Sequence, residues 1–178
     1  MARKKYIRDY RLVERVDERG RLRTDYEYIG GRYVYHLDGK TVQREKKRVL
    51  IALGAAWLFF AAGLVPNAAG MRAIYVAIPY LFAAIPMGLA TDALLTAART
   101  EPLRHQQADV LENRYPPAAL FAAILPAVSL AGEGVRLLLG AERNAGDLFF
   151  ALCAAAVTAG GAYAFSRRER FLCREEKD

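Results

Sequence analysis

Four polar side chains lie in or beside long apolar stretches and are the residues most able to do chemistry. They are Thr91, Asp92, Glu133 and Arg136. An ionisable residue inside a membrane-spanning segment commonly belongs to an ion path, a proton relay or a substrate cavity. Glu133 and Arg136 are three residues apart, so they can pair on one helix face. Because a helix rises about 1.5 Å per residue, all three ionisable groups fall near the ends of their stretches. We favour an interfacial or structural role over a polar membrane site.

The chain lacks the short motifs of common catalytic sites. His36 and His105 belong to no metal-binding pattern, and the two serines, Ser129 and Ser166, are not in a nucleophile elbow. There is no phosphate-binding loop and no dinucleotide fingerprint. Cys153 lies in an apolar stretch, where a thiol is expected to be inert. The sequence therefore nominates no catalytic residue, no metal ligands and no cofactor, and it favours a non-enzymatic protein.

Charge and hydropathy are segregated along the 178 residues. Residues 1–48 hold 15 Lys and Arg against 8 Asp and Glu, which accounts for the whole net charge of +7. The remainder is neutral and contains uncharged apolar stretches at 49–66, 73–91, 115–132 and 148–166. About 20 helical residues cross a hydrocarbon core of about 30 Å. We predict an all-α membrane bundle of four helices, with spans at about 49–66, 72–98, 116–139 and 147–166.

Basic residues flank these spans unequally. The segment before the first span holds Arg44, Lys46, Lys47 and Arg48, the loop at 99–115 holds three arginines, and the tail at 167–178 begins with Arg167 and Arg168. The opposite side has only two or three basic residues. The positive-inside rule therefore predicts cytoplasmic termini. The same residues can contact anionic lipid headgroups. The abundance of Ala and Arg suggests a bacterial inner (plasma) membrane.

Residues 1–45 are predicted to form a small cytoplasmic head, an antiparallel β-meander of three or four strands. Apolar and polar residues alternate over 6–13, 22–28 and 33–37, and Asp38 with Gly39 is a type I′ turn signal. Residues 40–42 add a short fourth strand, or residues 40–48 form a helix that leads into the first span. About 40 residues rarely make a self-sufficient core, so the head is expected to pack on the bundle or bind a partner.

Helix-terminal and kink signals refine the four spans. Asp147 is expected to cap the fourth span, Thr100 to cap a short helix in the 99–115 loop, and the prolines at 116 and 117 to occupy the first turn of the third span. Prolines inside the spans remove backbone hydrogen bonds and favour kinks, at Pro79, Pro86 and Pro126. Such kinks can shape a bundle or line a cavity, and we favour the former.

The sequence favours an integral membrane protein without enzymatic activity. Its expected partners are membrane lipids and either a cytosolic protein or a second copy of the chain, and nucleic acid is the least favoured ligand for the basic head. The alternative is a small transporter or channel that uses the kinked second and third spans. A cavity at membrane depth beside Thr91, Asp92, Glu133 or Arg136 would favour the transporter, whereas a bundle filled with apolar side chains would favour the first hypothesis.

Overall fold

The computed structural model describes residues 6–16, 22–65, 68–97, 102–139 and 144–175. The protein is mostly helical and carries two small antiparallel sheets. The strands are β1 (Tyr10–Val16), β2 (Leu22–Tyr28), β3 (Arg32–Tyr35), β4 (Leu103–Arg104) and β5 (Cys173–Glu175). The helices are α1 (Gly39–Gly63), α2 (Ile74–Phe82), α3 (Ala84–Ala97), α4 (His105–Asp109), α5 (Tyr115–Leu138) and α6 (Ala145–Ser166).

Within the described ranges, three helical segments are long and apolar enough to cross a membrane. They are Ile74–Ala97, His105–Leu138 and Ala145–Ser166. α1 differs from the predicted first span because it begins at Gly39, in the charged segment, and ends at Gly63. Its uncharged helical part is therefore shorter than the stretch 49–66, whose last residue lies outside the described part of the chain.

Proline affects the second and third predicted spans differently. The helix of the second predicted span is interrupted at Ala83, between α2 and α3. Pro86 accounts for this, because it has no N–H to give to the carbonyl of Phe82 four residues earlier. Pro79 and Pro126 instead lie inside α2 and α5. Only one of the three predicted kink positions therefore coincides with a break in the helix.

The helices enclose two apolar cores. We name the end of the bundle that carries β3, β4 and β5 the sheet end, and the end that carries residues 68–73, 139 and 144–145 the loop end. Beside the sheet end, Val49, Leu94, Tyr115 and Phe171 are buried together. The second core holds aromatic and small side chains, among them Phe60, Ala83, Ala122 and Phe150, around Tyr80. The hydroxyl of Tyr80 donates to the carbonyl of Phe60, near the end of α1 where carbonyls lack helical partners.

The three amino-terminal strands do not form one meander, so that prediction was wrong. Among the described strands, β1 pairs only with β2, whereas β3 lies between β4 and β5 in a second antiparallel sheet. Tyr33 is paired with both Leu103 and Glu175, and Tyr35 with Cys173. The partners of β3 therefore lie in the 99–115 loop and in the tail. The side chain of Tyr35 in β3 is buried against the helices.

The expected hairpin turn at Asp38 is also corrected. Asp38 has φ of −54° and immediately precedes α1, whereas a type I′ turn needs positive φ at both central residues. Residues 40–42 consequently belong to α1, as the helical alternative for 40–48 predicted. The proposed cap Thr100 lies outside the described residues, and the short helix of this loop is α4, which continues through a π-helical turn (Val110–Arg114) into α5.

Close packing between α5 and α6 depends on Gly161. A Cβ at this position would lie 2.6 Å from the carbonyl carbon of Ala122 and 2.8 Å from its oxygen. The Ala122 carbonyl is also the group left without a helical donor by Pro126, four residues later. The glycine thus allows α6 to lie directly on the backbone of α5.

We predict that Gly161→Ala lowers the free energy of unfolding by about 1–3 kcal/mol, because overpacking must push the two backbones apart. Gly54→Ala is the matched control, since a Cβ there meets no atom within 4 Å, and it should leave stability unchanged or raise it by up to about 1 kcal/mol. Denaturation of the purified protein in detergent measures both. Equal effects would show that the α5–α6 contact is not tight.

Candidate functional site

At the loop end, one arginine is shared by two carboxylates. The Nη2 of Arg136 lies 2.6 Å from Oε1 of Glu133 and 2.8 Å from Oδ2 of Asp147, and its Nε donates to Oε2 of Glu133 at 3.0 Å. Glu133 and Asp147 are each 1% exposed. We name these three residues the loop-end ion cluster.

The surrounding backbone is arranged to hold the cluster. The N-cap of α6 is Asn144 and not Asp147, which corrects the predicted cap. Asp147 is the third residue of α6 and accepts the backbone N–H of Asn144 in a capping box, and its Oδ1 accepts the N–H of Gly70 at 3.3 Å. A Cβ on Gly70 would lie 1.8 Å from Oε2 of Glu133, so any larger residue there would have to displace this carboxylate. The cluster therefore ties together α5, α6 and the 3-10 turn Ala69–Arg72.

Because its carboxylates are buried, the loop-end ion cluster has a structural role: it holds α5 and α6 together. The spacing of Glu133 and Arg136 allowed their pairing to be anticipated, but nothing in the sequence linked Arg136 to Asp147. From the sequence, Asp147 was expected only to cap the start of the fourth span. The nearby hydroxyl of Ser129, also buried, donates to the carbonyl of Val76 and adds a further link between α2 and α5.

The structure does not bring the four sequence-nominated polar residues together. Thr91 accepts a hydrogen bond from Nε1 of Trp57 at 3.3 Å and donates to the carbonyl of Met87. It thus links α1 to α3. Asp92 is exposed near the opposite end of α3 from the loop-end ion cluster. Glu133 and Arg136 therefore act without Thr91 or Asp92.

Asp92 lines a groove of about 770 Å³ between α2–α3 and α4–α5. Pro86, from the helix break, also lines it. Toward the sheet end the lining is polar, and it comprises Asp92, Thr96, Gln106, Asn113 and Arg114. Toward the loop end it is apolar, and it comprises Phe82, Ile85, Leu89, Phe121 and Leu125. This size is that of sites for small ligands, and its two ends suit an amphiphilic molecule.

The basic residues assigned to lipid and topology divide into two groups. Arg48 and Arg167 lie 2.9 and 3.6 Å from the carboxylate of Glu45, which is itself buried. Lys46 is buried with its Nζ over the ring of Tyr35, and Arg168 lies over the ring of Phe165. Arg44 and Lys47 are exposed. Part of this set therefore holds the sheet end together.

His105 connects the β1–β2 hairpin to α4, a role that the sequence did not suggest. Its Nδ1 lies 3.1 Å from Oδ2 of Asp9, and its backbone N–H donates to the hydroxyl of Tyr28 at 2.9 Å. The rings of Tyr6 and Tyr33 pack against the imidazole, each with centroids 5.5 Å away.

Tyr6 adds a second link from this region to α4. Its hydroxyl donates to Oδ2 of Asp109. Burial and this hydrogen bond raise the pKa of Tyr6 to about 12. The phenol therefore remains a donor at neutral pH, and the link holds under ordinary conditions.

Comparison with protein-family models, with curated proteins and with solved structures finds no match to this chain. Across the described ranges, no group of three or more His, Cys, Asp or Glu side chains is placed to hold a metal ion. Burial raises the pKa of the Cys173 thiol to about 12, so this thiol is a poor nucleophile at neutral pH.

We predict that Arg136→Gln lowers the free energy of unfolding by about 3–5 kcal/mol, because two buried carboxylates would lose their shared cation. Thermal and denaturant unfolding in detergent measure the change. Arg170→Gln, which alters an exposed arginine at the sheet end, should change stability by less than about 1 kcal/mol. A loss no larger than that of the control would show that the cluster contributes little.

Proposed function

We propose that this chain is an integral membrane protein without enzymatic activity, whose β1–β2 hairpin docks a cytosolic protein. The observation that carries this proposal is the separation of the head into two parts. One part, β3, joins the β4-β3-β5 sheet that packs on the helices, and the other, the β1–β2 hairpin, pairs with no other described strand. The predicted head would thus both pack on the bundle and bind a partner.

Insertion in a membrane is supported by the distribution of apolar side chains. Exposed large residues occur along every long helix, and they include Leu58, Ile78, Ile85, Phe121 and Leu152. The buried positions of the same helices are often alanine, as at Ala90, Ala119 and Ala154. Small residues inside and large apolar residues outside are what helices packed in lipid require. With the basic flanks on the sheet end, this arrangement supports cytoplasmic termini.

The hairpin has the properties of a docking element. Leu12 and Tyr26 are cross-strand partners and are 60% and 70% exposed. A two-stranded ribbon is marginally stable alone, and its free edges can accept another strand. Within the described residues, Asp9 and Tyr28 contact His105 of α4 and hold the base of the hairpin. A protein that covers the Leu12–Tyr26 pair would stabilise it.

The transporter alternative rests on the groove beside Asp92 and Pro86. Against it, the side chains between the helices at mid-bundle are apolar, and Tyr80, Met87 and Phe150 are fully buried there. The groove is lined mainly by exposed side chains of α2–α3 and α4–α5 rather than by residues of this core. The filled core supports the non-enzymatic binding role over the transporter.

A photoreactive benzoylphenylalanine at position 12 or 26 should crosslink to a discrete soluble protein in membranes of expressing cells. The same probe at Leu138, which is 85% exposed at the loop end, should give no such product.

Tyr26→Asp should weaken the crosslink from position 12 about tenfold, because a charge would have to be buried in the contact. Leu172→Asp, beside β5, is the matched control and should not weaken this crosslink. A product with twice the mass of the chain would instead indicate a homo-oligomer, and the absence of any product would refute docking by the hairpin.

We further predict that Asp92→Asn leaves the proton leak of proteoliposomes unchanged, because this carboxylate is not part of a path through the filled core. A pH-sensitive dye trapped in the vesicles measures the leak. Glu133→Gln should also leave it unchanged in whatever fraction of the protein remains folded. A leak that falls or rises with Asp92→Asn would favour the transporter.

A further inference from the structure

The groove between α2–α3 and α4–α5 has charges of both signs at its polar end. Asp92 comes from α3, and Arg114 comes from the turn between α4 and α5. Both side chains are exposed, and within the described residues neither forms an ion pair. A ligand could therefore contact one anion and one cation in the same groove.

The local backbone supports this arrangement. Residues 110–114 form a π-helical turn, a feature that is frequent at functional sites because it widens a helix and redirects side chains. Three of these residues, Val110, Asn113 and Arg114, line the groove. The amide of Asn113 donates to Asp109 at 2.9 Å, which fixes one side of the turn. The groove residues between α4 and α5 thus belong to a continuous helix.

Depth and polarity match one leaflet of a bilayer. Asp92 lies five residues before the end of α3, about 7.5 Å along its axis, and Arg114 directly precedes α5. Both would lie at the level of the lipid headgroups on the sheet end. The apolar part of the groove runs from Leu89 to Phe82, about 10 Å deeper. A polar end at headgroup level and an apolar end below it are the profile of a phospholipid.

We infer that this groove binds a zwitterionic phospholipid with a primary ammonium group, of the phosphatidylethanolamine class, from the leaflet at the sheet end. Arg114 binds the phosphate, Asp92 accepts hydrogen bonds from the ammonium, and one acyl chain lies on Leu89, Ile85 and Phe121. A trimethylated ammonium cannot donate hydrogen bonds to Asp92, and an anionic glycerol headgroup has no cation for it. The inference rests on the membrane insertion proposed above but not on the hairpin partner.

Native mass spectrometry of the detergent-purified full chain tests the inference with three lipids of identical acyl chains. Their headgroups are phosphoethanolamine, phosphocholine and phosphoglycerol. We expect at least about fivefold tighter binding of the first, which corresponds to about 1 kcal/mol for a charge-assisted contact. Asp92→Asn should abolish the preference over phosphocholine, and Arg114→Gln should weaken all three lipids. Asp38→Asn, an exposed aspartate without a side-chain cap bond, is the control for charge and should change nothing.

A second pair of variants tests the apolar part of the groove. Leu89→Trp fills it and should reduce phosphoethanolamine lipid binding about tenfold, whereas Leu95→Trp, on an exposed position of α3 outside the groove, should not. Unfolding midpoints equal to that of the parent establish that the variants are folded. Equal binding of the three lipids, or equal loss from both tryptophan variants, would overturn the inference. A photoreactive probe at position 89 that crosslinks to a protein segment and not to lipid would also overturn it.

Extraction of membranes with alkaline carbonate separates the two proposals. A chain that is released refutes membrane insertion, whereas a retained chain without lipid preference refutes only lipid binding in the groove.

Discussion

One side chain, that of Arg136, which is 11% exposed, closes the loop end of the bundle. Its two carboxylate partners come from the end of α5 and the start of α6, and Asp147 also receives the N–H of Gly70 from the connection before α2. Arg136 therefore joins α5 to α6, and Asp147 extends the link to the segment before α2. Taking these charges out of water is costly, and their mutual contacts offset the cost only while all partners are present. The cluster consequently favours one relative position of α2, α5 and α6.

The sheet end is closed by a different means. β3 joins the 99–115 loop through β4 and the tail through β5, so strand pairing ties the amino-terminal region to both segments. The hydroxyl of Tyr35 donates to the carbonyl of Ala97, and the backbone N–H of Cys173 donates to Glu112. With both ends fixed, the middle of the bundle can be packed from alanine, glycine and aromatic residues. Gly161 against Ala122 is a close backbone contact within that packing.

The helices could be predicted from the sequence because an uncharged stretch of 18 or 19 residues is itself the signal. Their ends were less well predicted, since the charged residues 40–48 continue into α1 without a break. The strand partners of β3 could not be predicted, because Leu103 and Cys173 lie about 70 and 140 residues beyond it. Local alternation predicts that a strand exists, but tertiary contacts decide which strand it meets.

The same limit applies to the candidate sites. Glu133 and Arg136 are within one helical turn, so their pairing is a local property that spacing predicts. The link from Arg136 to Asp147, and the position of His105 between Asp9, Tyr6 and Tyr33, depend on how separate elements pack. His105 was dismissed as a metal ligand because no motif surrounds it. Its actual contacts are to residues about 70 and 100 positions earlier in the chain.

The helix α4 and the π-helical turn after it connect the two proposed binding surfaces. Asp109 accepts a hydrogen bond from Tyr6, beside the base of the hairpin, and another from Asn113, which lines the groove. His105, at the start of the same helix, holds Asp9 and Tyr28. A lipid bound to Arg114 would therefore contact the short helix that also positions the hairpin. Since binding free energies are reciprocal, any effect of the lipid on hairpin docking must be matched by an equal effect of the docked protein on lipid affinity.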